Sequence, residues 1–249
     1  MTPITPHVAL VTGAAQGVGH AIASRLLAAG FAVAISDLTL AGAQAAAHKL
    51  DPTGEKTLAL KLDVTQTVDF EAALAAILKR FKALQVVVNN AAVTKTTPVL
   101  EISAEEFSQV VSTNLTSVFV SCQVLGKYLA DSGYGRIINL ASLAGQNGGT
   151  ATGAHYAASK GGIVTLTKIF AREFGAQGVT VNAIAPGPID SPMVRSVAAD
   201  KMEKIIANIP VRRVGSADFL GDLIVLLASE DAYFATGATW DVNGGLFMR

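Results

Sequence analysis

Short runs of β-branched and other apolar residues recur along the chain, and longer Ala/Leu-rich segments separate them. The runs are Val8 to Thr12, Phe31 to Ser36, Thr57 to Leu62, Val86 to Val88, Arg136 to Leu140 and Val179 to Ile184, and each reads as a buried strand. Between them, Gly19 to Ala29, Asp69 to Phe81, Ala104 to Leu129 and Tyr156 to Gly175 have the length and composition of helices. Repeated strand-helix alternation predicts an α/β fold, a doubly wound sheet covered by helices on both faces, with ligands bound outside the carboxyl ends of the strands. No Pro/Gly/Ser linker, repeat, low-complexity tract or composition shift divides the chain, so residues 1–249 are read as one domain.

Composition sharpens this picture. Hydrophobic residues make up 51% and charged residues 15%, apolar enough to suggest fully covered parallel strands or subunit contacts. Lys plus Arg equal Asp plus Glu at 19 each, without a basic run, which argues against a nucleic-acid binder and favours a small ligand. Arg25, Asp37, Lys168 and Arg172 interrupt the apolar stretches before a spanning length of about 18 residues is reached. The N-terminus lacks the pattern of a secretory signal. The expectation is a cytoplasmic protein with no membrane partner. Cys122 is the single cysteine and lies in an apolar run, and His7, His20, His48 and His155 are scattered without ligand spacing, so no metal site is expected.

Three groups of residues carry candidate chemistry. Thr12-Gly13-Ala14-Ala15-Gln16-Gly17-Val18-Gly19 follows the first strand and opens a helical segment, as a pyrophosphate cradle requires: glycines permit close backbone approach, and a helix N-terminus offers free N–H groups. Asp37 ends the second strand eighteen residues after Gly19. A carboxylate there accepts hydrogen bonds from both hydroxyls of an adenosine ribose and repels a 2′-phosphate, and Ala15, Gln16, Ser36 and Leu38 offer that phosphate no cation. NAD is expected and NADP disfavoured. Tyr156 and Lys160 stand four residues apart in a helix-forming run, so they share a face, where an ammonium would hold a phenol pKa below its usual value near 10.

Taken together these motifs resemble the short-chain dehydrogenase/reductase family, in its branch of single-domain enzymes of about 250 residues, over essentially the whole chain. The resemblance implies a Rossmann-type, mostly parallel seven-stranded sheet, with Thr236 to Gly245 as the last strand and turn, and a homotetramer joined through the last strand and two long helices. It implies adenine contacts at Asp63 and Val64 and a cofactor-side motif at Asn89-Asn90-Ala91-Ala92, with Ala92 where glycine is usual. Gly13, Gln16, Gly17, Val18, Gly19 and Asp37 would hold the adenosine and pyrophosphate. Pro186, Gly187, Ile189 and Ser191 would meet the nicotinamide, with Ser191 replacing a usual threonine.

The same resemblance assigns the catalytic set to Asn114, Ser142, Tyr156 and Lys160. Ser142 would hydrogen-bond the substrate oxygen, Tyr156 would exchange a proton with it, Lys160 would contact the nicotinamide ribose, and Asn114 would support a water leading toward solvent. The expected activity is NAD(H)-dependent interconversion of a secondary alcohol and a ketone. The runner-up is reduction of a 3-oxoacyl thioester on an acyl carrier protein or CoA. More remote readings are a non-catalytic NAD-binding scaffold or sensor and a methyltransferase, which would not need Ser142, Tyr156 and Lys160. Candidate substrate contacts are Thr94, Gln146, Asn147, His155, Pro188 and Met193, with a loop and helices around 190–210.

Overall fold

In a computed structural model, residues 7–149, 152–190 and 199–249 are described. Seven strands form one sheet: β1 (Val8–Thr12), β2 (Ala32–Asp37), β3 (Thr57–Lys61), β4 (Val86–Asn89), β5 (Gly135–Leu140), β6 (Val179–Pro186) and β7 (Thr239–Val242). Their order is β3-β2-β1-β4-β5-β6-β7, and every neighbouring pair is parallel. The sheet is therefore wholly rather than mostly parallel. Its chain order reverses between β1 and β4, where Val11 pairs Val88, and that reversal opens a crevice at the carboxyl ends of the strands.

The sheet has a core on each face. Val8 and Leu10 of β1 pack into one, while Ala9 and Val11 pack into the other; β4 divides likewise, with Val87 opposite Val86 and Val88. Side chains alternate across a strand, so covering both faces demands the unbroken apolar runs seen in the sequence. Each fully buried Val, Leu or Ile contributes about 1.5–3 kcal/mol, and truncating Leu10 to Ala costs about 2–5 kcal/mol. Cys122 lies in the first of these cores, and burial pushes its thiol pKa up to about 12.

The first face carries α3 (Thr67–Phe81), α4 (residues 104–131) and α6 (Ala154–Phe174), and the second carries α1 (Gly17–Ala28) and α8 (Ala217–Ala228). Three further helices are α2 (Leu40–Leu50), α5 (Ala144–Asn147) and α7 (Ala199–Asn208). Thr39 caps α2 by accepting from the Gly42 N–H, and Ser216 caps α8 by accepting from Asp218 and Phe219. The predicted helix over 104–129 exists but is not uniformly α: π-turns at Ser112–Thr116 and Cys122–Gly126 interrupt it. Each π-turn adds a residue to one turn and so rotates the apolar face, a change invisible to a 3.6-residue period. Of the region around 190–210, Ala199–Asn208 forms α7; Ser191 and Met193 lie outside the described residues.

Candidate active site

Thr12, Asp37, Asn89, Leu140 and Pro186 end their strands on the same edge of the sheet, and the candidate site is built on that edge. Gly13 and Gly17 take φ values of +64° and +59°, which non-glycine residues rarely adopt. A Cβ on Gly13 would lie 2.9 Å from Ala91 Cα, and one on Gly19 would lie 2.5 Å from Asn90 Nδ2. The Asn90 side-chain amide donates to the carbonyls of Thr12 and Gly13 at 2.8 and 3.1 Å, while Thr12 Oγ1 accepts from the N–H groups of Asn90 and Ala91. Asn90 and Ala91 thus brace the glycine loop from β4. No side chain caps the first turn of α1, whose amides at Gly17, Val18 and Gly19 face this cradle. This geometry fits a dinucleotide pyrophosphate.

Asp37 Oδ2 accepts from the Ala15 N–H at 3.2 Å, which turns the carboxylate back over the loop as a ribose site requires. Asp63 Oδ1 accepts from the Thr65 N–H and hydroxyl at 2.9 and 2.7 Å, while the Asp63 N–H donates to Asp69, fixing the turn after β3 that carries Val64. Gly187 donates to the Val242 carbonyl, and a Cβ on it would sit 3.0 Å from Asn243 Cα, so the Pro186-Gly187 turn lies against β7. Ile189 bridges to Gly215. Ala92 is exposed, so its methyl group meets no obstruction.

The proposed catalytic side chains converge. Lys160 is 3% exposed and donates to the Leu140 carbonyl at 2.6 Å, with Nζ 5.6 Å from the Tyr156 ring centre. Burial lowers its pKa to about 8. Burial raises the pKa of the Tyr156 phenol, and a hydrogen bond from the Ser142 hydroxyl pulls it back. The expectation that Lys160 holds the phenol below its usual range is therefore corrected: in this structure the ammonium is committed to Leu140, and the downward pull comes from Ser142. Ser142 Oγ also accepts from the Ala144 N–H at 3.1 Å. Gly145 lets this segment reach α6, since a Cβ there would lie 2.6 Å from Gly161 N and 2.8 Å from Lys160 O.

Asn114 sits in the first π-turn, fully buried. Its Oδ1 accepts from Val93 N–H at 2.8 Å, and its Nδ2 donates to Val93 O at 2.9 Å and Ser159 Oγ at 3.2 Å. It therefore clamps the segment after β4 onto α6. Behind these groups, Asn89 Nδ2 donates to Asn139 Oδ1 and Asn139 Nδ2 to Thr167, a buried polar relay joining β4, β5 and α6. In the sequence Asn89 stands in a cofactor-side motif and Asn139 within a strand; the relay depends on the register that places them opposite each other.

The candidate substrate residues divide. Thr94 Oγ1 is buried without a hydrogen-bond partner among the described residues. Gln146 instead donates to Asp241 Oδ1 at 2.6 Å, exposed Asn147 accepts from the Gly149 N–H, and His155 is fully buried with both ring nitrogens engaged by Glu106 and the Tyr156 N–H. Pro188 lines a cavity of about 910 Å³ with Ile209, Trp240 and Phe247, beside β7 and apart from Ser142, Tyr156 and Lys160. Among the described residues no group of three or more His, Cys, Asp or Glu side chains is gathered as a metal site would need, and no helix is long and apolar enough to cross a membrane.

A seven-stranded doubly wound sheet, a glycine cradle at its switch point and a Ser/Tyr/Lys group beside it accord with the comparison to known families: the chain belongs to the short-chain dehydrogenase/reductase family and is an oxidoreductase acting on CH–OH groups. The matching family model, described as enoyl-(acyl carrier protein) reductase, spans residues 13–247. The chain is 37% identical over 243 residues to the 3-oxoacyl-(acyl-carrier-protein) reductase of Escherichia coli K12, with 97% of each protein covered. The proteins of that name from Vibrio cholerae and Pseudomonas aeruginosa are each 37% identical over 241 residues, also covering 97% of each chain.

Proposed function

We propose that this chain is an NAD(H)-linked reductase of 3-oxoacyl thioesters, converting the 3-oxo group to a 3-hydroxy group, and that it works as a cytoplasmic homotetramer. The observation that carries the substrate class is full-length similarity, at 36–37% identity, to several proteins named for that reaction. The secondary-alcohol reading is the coarser form of the same chemistry, because the product is itself a secondary alcohol. The choice of NAD(H) rests on Asp37, whose carboxylate is held over the glycine loop by Ala15.

The cradle at Gly13 to Gly19, Asp37 and the turns at Asp63 and Gly187 would hold the dinucleotide. When bound, its nicotinamide supplies or accepts hydride at C4. The protein's share is orientation and proton transfer. Ser142 and Tyr156 would bracket the substrate carbonyl oxygen, and the phenol, whose pKa burial raises, would donate its proton as hydride reaches the carbon. Lys160, positively charged below about pH 8 and held by the Leu140 carbonyl, would contact the nicotinamide ribose. The unpartnered Thr94 hydroxyl offers a donor to a second substrate oxygen.

A second reading, oxidation of a small secondary alcohol or polyol, is favoured by Asp37, since NAD pools suit oxidation. One panel separates the two: NADH oxidation with acetoacetyl-CoA and an acetoacetyl carrier protein, against NAD reduction with secondary alcohols and polyols. Turnover of the thioesters at least about tenfold above the alcohols supports the proposal, and the reverse order replaces it with the second reading. Light scattering on the purified protein reads the tetramer directly.

A further inference from the structure

Two loops flank Tyr156, the segment after β4 and the turn before α6, and one acidic residue of α4 joins them. Glu106 is 21% exposed; its Oε1 lies 3.0 Å from His155 Nε2 and its Oε2 lies 3.4 Å from Lys95 Nζ. The Thr97 side chain also hydrogen-bonds Glu106. On the far side of the imidazole, His155 Nδ1 accepts from the backbone N–H of Tyr156 at 2.9 Å. The backbone closes the circuit, because the Gly153 N–H donates to the Lys95 carbonyl at 2.9 Å. Gly153 must be glycine here: a Cβ would fall against the imidazole, 2.7 Å from Nδ1 and 2.9 Å from Lys95 O.

This geometry fixes a tautomer. The Tyr156 N–H donates both to Nδ1, at 2.9 Å, and to the Gly153 carbonyl, at 3.1 Å; for Nδ1 to accept its share it must be the bare nitrogen, with the imidazole proton on Nε2. A carboxylate facing Nε2 selects that form. Without it, the alternative tautomer would place an Nδ1–H against the Tyr156 N–H, two donors nose to nose inside a fully buried site. The first turn of α6 would then shift, and Tyr156 with it, away from Ser142.

We infer that Glu106 and His155 form a positioning pair, in which Glu106 sets the His155 tautomer so that the imidazole anchors the backbone of Tyr156 and pins the 93–97 wall beside it. Neither residue touches the reacting atoms. The inference rests on Tyr156 being the proton donor of the proposed reaction, and the test keeps the two separable.

Glu106→Leu removes the carboxylate, whereas Glu106→Gln keeps an oxygen able to accept from Nε2–H. NADH oxidation with acetoacetyl-CoA should show kcat falling about tenfold or more in Glu106→Leu, with KM for NADH within about twofold, and Glu106→Gln returning to within about threefold of wild type. Imidazole ¹⁵N shifts should report His155 as the Nε2–H tautomer in the wild type and in Glu106→Gln, and a mixture in Glu106→Leu, with the Tyr156 amide proton moving upfield. These shifts are read without substrate, at a temperature where circular dichroism shows every variant folded. An unmoved tautomer and Tyr156 amide in Glu106→Leu overturn the pairing. A kcat within twofold of wild type, or no recovery in Glu106→Gln, overturns its positioning role. Wild-type protein inactive on acetoacetyl-CoA, or Tyr156→Phe fully active, counts instead against the proposed function, and the shifts still decide the pairing.

Discussion

Cofactor choice turns on one carboxylate, and replacing Asp37 with Asn tests it at constant shape. Asp37 Oδ2 is anchored by the Ala15 N–H at 3.2 Å, and in the proposed function it accepts from the adenosine ribose. A 2′-phosphate carries about −1.5 to −2 charges near neutral pH. Unit charges 4 Å apart repel by about 1 kcal/mol in water and about 4 kcal/mol at an effective dielectric of 20. Asp37 is only half-buried, which places it toward the screened end. Taking about 1–2 kcal/mol per phosphate charge gives about 1.5–4 kcal/mol against NADPH, or about 10- to 1000-fold in affinity. Asp37→Asn retains an acceptor for Ala15 and removes the repulsion, so NADPH binding should tighten by at least about tenfold while NADH binding weakens several-fold through loss of charged hydrogen bonds to the ribose. Fluorescence titration of both cofactors, at low and high salt, needs no substrate. Wild-type protein that binds NADPH as tightly as NADH, or an Asn variant with unchanged selectivity, refutes the role given to Asp37.

Two further outcomes concern stability. The folded-state pKa of Lys160, about 8, lies below the ordinary value of 10.5. The unfolded chain therefore binds the extra proton between those values, and stability rises with pH across that window. Below about pH 8 both states are protonated and the full penalty, about 3 kcal/mol, is present. Lys160→Met removes that penalty along with a charged hydrogen bond worth about 1.5–3 kcal/mol. Its Tm at pH 7 should match or exceed the wild type by up to about 5 °C while turnover falls about 100-fold or more, and a Tm lower by more than about 5 °C contradicts this. Arg136, 2% exposed, donates to the carbonyls of Gly135, Gly178, Ser229 and Glu230 and stacks on Tyr134. Arg136→Met strands those carbonyls and should destabilise by about 3–5 kcal/mol, lowering Tm by about 6–20 °C without weakening NADH binding at 25 °C; a drop below about 3 °C contradicts it.

The strands were legible because β1, β4, β5 and β6 are covered on both faces, leaving an unbroken apolar signature, and the glycine loop because its spacing follows from backbone sterics. What the sequence hid is lateral. The first π-turn of α4 sets Asn114 against Val93 and Ser159 on other elements, partners that local propensity does not reveal. Gly145 stood in no motif, yet its missing Cβ is what lets α5 lie on the backbone of Lys160 and Gly161. Gln146 read as a substrate contact, yet it reaches Asp241 on β7, 95 residues away. Glu106 carried no motif, and only the packing of α4 on α6 brings it to His155. The shared face of Tyr156 and Lys160 was therefore accessible from spacing, while the forces acting on the phenol were not: burial raises its pKa, and the downward pull comes from Ser142 rather than from Lys160.

The proton-donor role of Tyr156 is the claim on which the functional account stands. The direct measurement is steady-state NADH oxidation with acetoacetyl-CoA by wild-type protein and Tyr156→Phe, beside NADH titration of both. The account predicts NADH affinity unchanged within about twofold and kcat lowered by about 100-fold or more, the span of a positioned general acid. Retention of a tenth of the wild-type turnover in Tyr156→Phe would contradict it.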